Sequence, residues 1–405
     1  MEVFPEDYIR SVVGKAALAF NFTEWEYSLQ KLGSIGQNYF GVLIPVTLIG
    51  KTNGEGVNVA LVLKLAPTDE RYRVSGAVTL MFAREVFVYS TLLQHYRAQQ
   101  QTLTLPRYVV PASYYVCGDY CREAIVLEDM TNNGYRPYTH SMFLDVNHVT
   151  EALKSLAIFH ANSFILKIRN FEQYDEASNV CVPLTKKTNQ RFMQVMEDRL
   201  NKAIQKFDNT NYGSLFETLK QSHVKYVEAT YTSVSKTCIC HGDIWKENIL
   251  FKYEGDTPTF ACLIDYQTAR LSSPAYDVLY LITSSTDTEL RQQYFHDLLD
   301  IYYTQFEKVL HCAGLQSQEI YSRKLFDKDL QTVAPACVIV ANTALWLASG
   351  LQQEGHVRSK RVLVTDEDKA AAAENYKQIM RGIIDDFLSY EYLCMCYQNN
   401  ETMFV

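Results

Sequence analysis

No apolar run in this sequence is long enough to cross a bilayer without interruption. The longest stretch, Cys337 to Leu351, is broken by Asn342, Thr343 and Ser349 and reads as a buried helix. The first ten residues, MEVFPEDYIR, are acidic. They lack the basic region and apolar core of a secretory leader, so a cytoplasmic chain is expected. In that setting the ten cysteines are reduced thiols and the Asn-x-Thr matches at Asn21 and Asn400 are idle. Cys238-x-Cys240 and Cys394-x-Cys396 lack the paired spacing of a zinc site, and no metal is expected on them. Positive charge is also short. Lys and Arg number 38 against 46 Asp and Glu, a net charge of −8. That excludes a broad nucleic-acid-binding face. No repeat stands out, no low-complexity segment exceeds Ala370 to Ala373, and nothing signals an obligate protein partner.

What the chain does carry is length and an ordinary globular composition. Its 405 residues are 47% hydrophobic and 21% charged, enough for a sizeable core and two lobes. The most informative stretch is His241-Gly242-Asp243-Ile244-Trp245-Lys246-Glu247-Asn248-Ile249-Leu250-Phe251, followed by Leu263-Ile264-Asp265-Tyr266-Gln267. Two acids and one amide stand at the ends of short apolar strands. Asp243 and Asn248 have the separation of Asp and Asn in a protein-kinase catalytic loop. Asp265 follows where such a fold keeps its metal-binding Asp. The residue types suit phosphoryl transfer. One carboxylate orients an acceptor hydroxyl and takes its proton. Mg²⁺, a hard cation, takes oxygen ligands from the second carboxylate and the amide. Acidic turn residues in a plain strand–loop–strand would explain one Asp, but not this ordered set.

On these residues the chain resembles the ecdysteroid kinase-like family, also called CHK kinase-like, which is related to choline and aminoglycoside kinases. The segments HGDIWKENILF and LIDYQTARLSSPAYDVLYLITSS carry the resemblance. It implies an α+β, protein-kinase-like two-lobe fold. The N-lobe, residues 1–130, would be a five-stranded antiparallel β-sheet with one main helix. The C-lobe, residues 131–405, would be larger and mostly helical. ATP and Mg²⁺ are the implied cofactors. Asp243 would be the catalytic base, and Asn248 and Asp265 the metal ligands.

The remaining candidates follow in chain order. Gly33 to Gly41 precedes the apolar run Val42 to Ile49. Its spacing is not GxGxxG, and alone it reads as a hairpin turn. The resemblance makes GQNYFG a phosphate loop, with Gly36, Gln37 and Asn38 at the nucleotide. Lys64 ends the strand Val57 to Leu65, and in a kinase-like fold it would contact the α- and β-phosphates. A helix over about Val74 to Gln99 buries the stripe Val78, Met81, Phe82, Val86, Tyr89 and Leu93. Glu85 lies beside that stripe and is the candidate partner of Lys64. Either residue is solvated unless the fold brings them together. Strands are expected at Tyr108 to Val116 and Glu123 to Leu127. After them, by resemblance, Glu128 and Met130 would hold the adenine edge through backbone groups. Further helices are expected at Val149 to Leu166, as two over 187–235, and at about 287–312, 333–350 and 366–397. His160 reads as a hydrogen-bonded core histidine. Ser273-Pro274 reads as a helix start. Asp277 lies in the first turn, where the helix dipole is the plain explanation. The resemblance makes it a brace for the catalytic loop.

Two departures from protein kinases narrow the reading. Asp265 is followed by Tyr-Gln rather than Phe-Gly, and no activation loop ends in Ala-Pro-Glu. The first means that a DFG-type switch is not expected, and the second points to a small-molecule acceptor. Lys246 stands either near the transferred phosphoryl group or in solvent. The expected activity is an ATP-dependent small-molecule kinase acting on an alcohol hydroxyl. By resemblance an ecdysteroid or related compound is the leading acceptor. One alternative is a choline- or ethanolamine-like or xenobiotic acceptor, and another is a catalytically silent, ligand-binding pseudokinase. An acidic, aromatic pocket would favour a cationic alcohol, and an apolar pocket with few polar groups a steroid.

Overall fold

A computed structural model describes residues 4–29, 37–38, 41–52, 54–353 and 359–393. Helix α1 (Glu6–Ala17) opens the chain and buries Ile9, Val12, Val13 and Ala16, the i, i+3, i+4, i+7 stripe of an amphipathic helix. Strands β1 (Trp25–Leu29), β2 (Gln37–Asn38), β3 (Gly41–Thr52) and β4 (Glu55–Leu65) follow. Helices α2 (Glu70–Gly76), α3 (Val78–Phe87) and α4 (Leu93–Leu103) come before β5 (Ser113–Cys117) and β6 (Ala124–Glu128). The sheet is antiparallel, ordered β1-β3-β4-β6-β5, with the two-residue β2 added against β3. It therefore has six strands where five were expected. Strand alternation sorts β4 onto two faces. Leu61, Leu63 and Leu65 enter the core shared with α1, and Lys64 faces the other way, toward α3.

The single helix expected over 74–99 is interrupted twice. Ala77 takes a left-handed conformation at φ +52° and separates α2 from α3. A π-turn at Val88–Leu92 then joins α3 to α4 while keeping Val88, Tyr89 and Leu92 buried. The strand expected from Tyr108 begins only at Ser113. Pro111 lies among the lost residues and Pro106 just before them, and neither can donate to a strand ladder.

The larger lobe begins with β7 (Tyr135–Pro137) and α5 (Val146–Arg169). Asp145 caps α5 by accepting from the amides of Asn147 and His148. Every residue from Ser155 to Leu166 is buried, so α5 is the lobe's central helix. Then come α6 (Phe171–Val180), α7 (Gln190–Lys206), α8 (Asn211–Gln221) and α9 (His223–Thr232). Three helices thus fill most of 187–235, because Ser222 breaks what reads as one amphipathic run. Four short strands follow: β8 (Cys238–Cys240), β9 (Ile249–Glu254), β10 (Thr257–Leu263) and β11 (Arg270–Ser272). The chain ends in α10 (Pro274–Ser285), α11 (Thr288–Cys312), α12 (Ser317–Ile320), α13 (Arg323–Ala348) and α14 (Asp366–Ser389). Ser273 caps α10 by accepting from the Ala275 amide, with Pro274 at the first helical position, as its sequence indicates. All twelve residues of α10 are buried. The apolar stretch after Cys337 belongs to α13, which has 26 residues and starts well before 333. By length and composition α13 is apolar enough to cross a membrane, but 72% of its most apolar window is buried within the fold. Of the eight described cysteines five are buried, and none forms a disulfide.

An antiparallel sheet lobe beside a larger helical lobe is the protein-kinase-like α+β architecture. Its helical lobe is tied by buried charge as well as by apolar packing. Arg291 on α11 donates from Nε to Asp386 Oδ2 on α14 at 2.7 Å, with both side chains at most 2% exposed. Asp386→Ala would strand the guanidinium without its partner. The expected loss is about 3–5 kcal/mol in a urea unfolding curve of unchanged slope. A loss under about 1 kcal/mol would mean that water reaches the pair in solution.

Candidate active site

Asp243, Asn248 and Asp265 sit on two loops whose ends are clamped by paired strands. Residues 241–248 run from β8 to β9, and residues 264–269 run from β10 to β11. Cys240 pairs with Arg270 at one end, and Ile249 with Leu263 at the other. The Ile264 amide also donates to the Asn248 carbonyl at 3.0 Å, which sets Asn248 beside Asp265.

The first loop is held from below by one buried carboxylate. Asp277 accepts from the His241 amide at 2.6 Å, the Gly242 amide at 3.0 Å and His160 Nε2 at 3.1 Å. Burial opposes its charge, but the His160 hydrogen bond and charge outweigh that and keep its pKa below the usual value. Gly242 is at φ +83°, and a Cβ there would lie 2.4 Å from the Thr268 carbonyl oxygen and 2.3 Å from Arg270 Nη1. Only glycine fits that turn.

Asp243 emerges from this loop with both carboxylate oxygens oriented. The Tyr280 hydroxyl donates to Oδ1 at 3.0 Å, and Asn248 Nδ2 donates to Oδ2 at 3.2 Å and to the Asp243 carbonyl at 2.8 Å. Burial and the nearby Asp265 push the Asp243 carboxyl up to about 6. Asp265 itself is left-handed at φ +71°. Asp tolerates that region better than most residues, and such conformations gather at functional sites. The next residue, Tyr266, is locked in the core, where its hydroxyl lies 2.6 Å from that of Tyr108 and donates to the Leu263 carbonyl at 3.1 Å.

The sheet lobe contributes Lys64. Its Nζ donates to Glu85 Oε2 at 2.5 Å and to Asp265 Oδ1 at 3.0 Å, with all three side chains at most 10% exposed. The pairing left open by the sequence is therefore present, and it includes Asp265 as well. Burial disfavours the Lys64 charge, yet Asp265 and Glu85 together hold its pKa above the ordinary value.

The other candidates fall as follows. Gln37 and Asn38 form β2 against Val42 and Gly41, and Gly36 lies outside the described residues. The Glu128 amide donates to the Ala112 carbonyl at 2.8 Å, and its carboxylate accepts from the Ala112 amide and Asn133 Nδ2. Met130 is buried at the start of a short 3₁₀ turn. Lys246 is partly buried. Its Nζ donates to the Ser141 carbonyl at 2.9 Å and lies 3.4 Å from Glu247.

Sequence reasoning missed Tyr280. A signal was available, because Tyr280 stands three residues beyond Asp277 on α10, and that spacing puts both side chains on one helix face. It also missed the cavity that opens beside Asp243. Met81 of α3, Phe192, Met196 and Arg199 of α7, Tyr276 and Tyr280 of α10 and Val340 of α13 line it.

The model of the ecdysteroid kinase-like family matches residues 35–315, well over half of the chain. No curated protein matches the sequence. Among solved structures the chain is similar to a Plasmodium vivax ethanolamine kinase at 12% identity, TM-score 0.41, covering 91% of this chain and 83% of that one. It is similar to the choline kinase LicA of Streptococcus pneumoniae at 12% identity, TM-score 0.40, covering 93% and 99%. It is also similar to a microcompartment-associated aminopropanol kinase at 10% identity, TM-score 0.43, covering 96% and 100%. Likeness at that level carries no inference about activity. The family match covers both loops and the Lys64–Glu85 pair: the chain belongs to the ecdysteroid kinase-like family, and is a small-molecule kinase that phosphorylates a hydroxyl group.

Proposed function

We propose that the chain transfers the γ-phosphoryl group of ATP to a hydroxyl of a neutral, largely apolar alcohol, an ecdysteroid or a related compound. The observation that carries this reading is the wall of the cavity at Asp243. Met81, Phe192, Met196, Trp245, Tyr276 and Val340 make it largely apolar. Among the described residues lining it, Asp243 is the sole carboxylate, and Arg191 and Arg199 line it too. A cationic alcohol such as choline gains from aromatic faces but is opposed by two guanidinium groups. A steroid needs apolar area and a few hydrogen-bonding groups, which this wall supplies.

The chemistry then follows from the groups present. Asp243 accepts the hydrogen bond of the acceptor hydroxyl and takes its proton as the new O–P bond forms. Tyr280 and Asn248 fix the direction of its carboxylate, so the acceptor is met by an oriented base. Lys64, held by Glu85, steadies the phosphates from the sheet lobe. Asn248 and Asp265 suit Mg²⁺. The Asn248 amide spends its N–H on Asp243, which turns its carbonyl oxygen elsewhere, and a carboxylate stands beside it. Two neighbouring hard oxygen donors are what this ion prefers, and when bound it would neutralise phosphate charge. Because the Glu128 amide is engaged by Ala112, the hold on an adenine edge falls to the Glu128 carbonyl and the Met130 backbone. Gly36, Gln37 and Asn38 would cover the phosphates.

ADP release with Mg-ATP tests the reading against ecdysone, 20-hydroxyecdysone, choline and ethanolamine. Turnover is expected on the steroids, with choline and ethanolamine inert. Turnover confined to choline or ethanolamine would overturn the acceptor assignment and leave the kinase chemistry standing. Asp243→Asn should lower steroid turnover by about 10²–10⁴-fold without loss of folding. Tyr280→Phe removes one of the two orienting donors, and a fall of roughly tenfold in kcat with little change in KM is expected. An unchanged kcat would show that Asn248 alone suffices to aim the base.

A further inference from the structure

Below the catalytic loop, β8 and α5 bring three soft ligands into one buried cluster. Cys238 and Cys240 are two apart on a strand, so their side chains share a face. Their sulfur atoms lie 3.7 Å apart. His160 of α5 adds a ring nitrogen, and the three ligand atoms all fall within 4.8 Å of one another. His160, Cys238 and Cys240 are each 0% exposed. Among the described residues no other three His, Cys, Asp or Glu side chains meet in this way. Two thiolates on one tetrahedral ion, with metal–sulfur bonds of about 2.3 Å, stand roughly 3.8 Å apart. The two sulfurs are thus already at ligand spacing.

We propose that His160, Cys238 and Cys240 form a structural site for a thiophilic divalent cation, with Zn²⁺ the type that fits. Cys-x-Cys alone carries no such reading, and the third ligand comes from a helix far earlier in the chain. Binding forms two metal–sulfur bonds and one metal–nitrogen bond, and the two S–H protons and the proton on the His160 nitrogen that takes the metal all leave to solvent. Zn²⁺ with two thiolates carries no net charge, which suits a dry interior. Burial pushes the Cys240 thiol well up, so its proton leaves only when a metal displaces it.

The surroundings give the site its consequence. The His160 nitrogens now lie 2.8 Å from the Tyr302 hydroxyl and 3.1 Å from Asp277 Oδ2. One takes the metal and the other keeps its oxygen partner, the usual second layer of a metal-bound histidine. The Tyr302 hydroxyl is a further oxygen donor beside the cluster. Asp277 in turn holds the His241 and Gly242 amides. A metal here would stiffen the support of the catalytic loop without touching phosphate or acceptor.

The full chain would be produced in zinc-supplemented medium, purified under reducing conditions and assayed for metal by mass spectrometry. About one zinc per chain is expected, and cobalt loading should give a thiolate-to-metal charge-transfer band. Cys238→Ala and Cys240→Ser should lose both, while Cys337→Ala, which removes a buried thiol elsewhere, should keep both. Zinc-free wild type, or zinc retained in Cys238→Ala, would overturn the proposal. X-ray absorption on the zinc-loaded wild type needs no variant to fold. Sulfur and imidazole ligation supports the site, and an all-oxygen shell sinks it.

Discussion

One ammonium group ties the two lobes together. Lys64 lies between Glu85 on α3 and Asp265 on the second loop, so a sheet strand, a helix and a loop of the other lobe share one buried charge. Taking three charges out of water is costly, and the cost is offset only where each keeps a close partner. That requirement fixes how α3 lies against the sheet, and how the sheet lobe lies over residues 264–269. A displacement of α3 that breaks the pair would leave a carboxylate and an ammonium buried apart. The lysine proposed to steady the phosphates is positioned by the same bonds that join the sheet lobe to residues 264–269.

The second constraint is the backbone of the catalytic loop. Residues 241–248 follow no regular ladder at their start, so the amides of His241 and Gly242 need acceptors from elsewhere. Asp277 supplies them from a helix buried along its whole length. α10 therefore carries both the carboxylate that holds the loop and, one turn on, the hydroxyl that aims Asp243. The proposed function rests on short loops hung from rigid elements, whose precision would come from the supporting helix.

The cavity proposed for the acceptor illustrates a different kind of assembly. Its wall draws on α3, α7, α10 and α13, helices spread over more than half of the chain. No one of these carries a motif for the acceptor. Among the described residues, the match between an apolar wall, two arginines and a single carboxylate exists only once the helices pack.

Sequence alone determined much of the chain's outline. The apolar run Val42 to Ile49, the turn after it and the strand Val57 to Leu65 placed β3 and β4, with Lys64 near the end of β4. Helical periodicity located α3 and α5. The spacing of Asp243, Asn248 and Asp265, with the resemblance they carry, pointed to the catalytic chemistry. These readings rest on local order, because burial of one face writes a period into the residues nearby. Tertiary structure alone decided the rest. The π-turn after Phe87 breaks a helix whose apolar period continues through it, and the left-handed Ala77 stands just before that period begins at Val78. Glu85 became the partner of Lys64, Tyr280 the partner of Asp243, and His160 the neighbour of Cys238 and Cys240. Periodicity tells which side of an element faces inward. It does not tell what stands opposite, since that depends on how segments far apart in the chain come to share one interior.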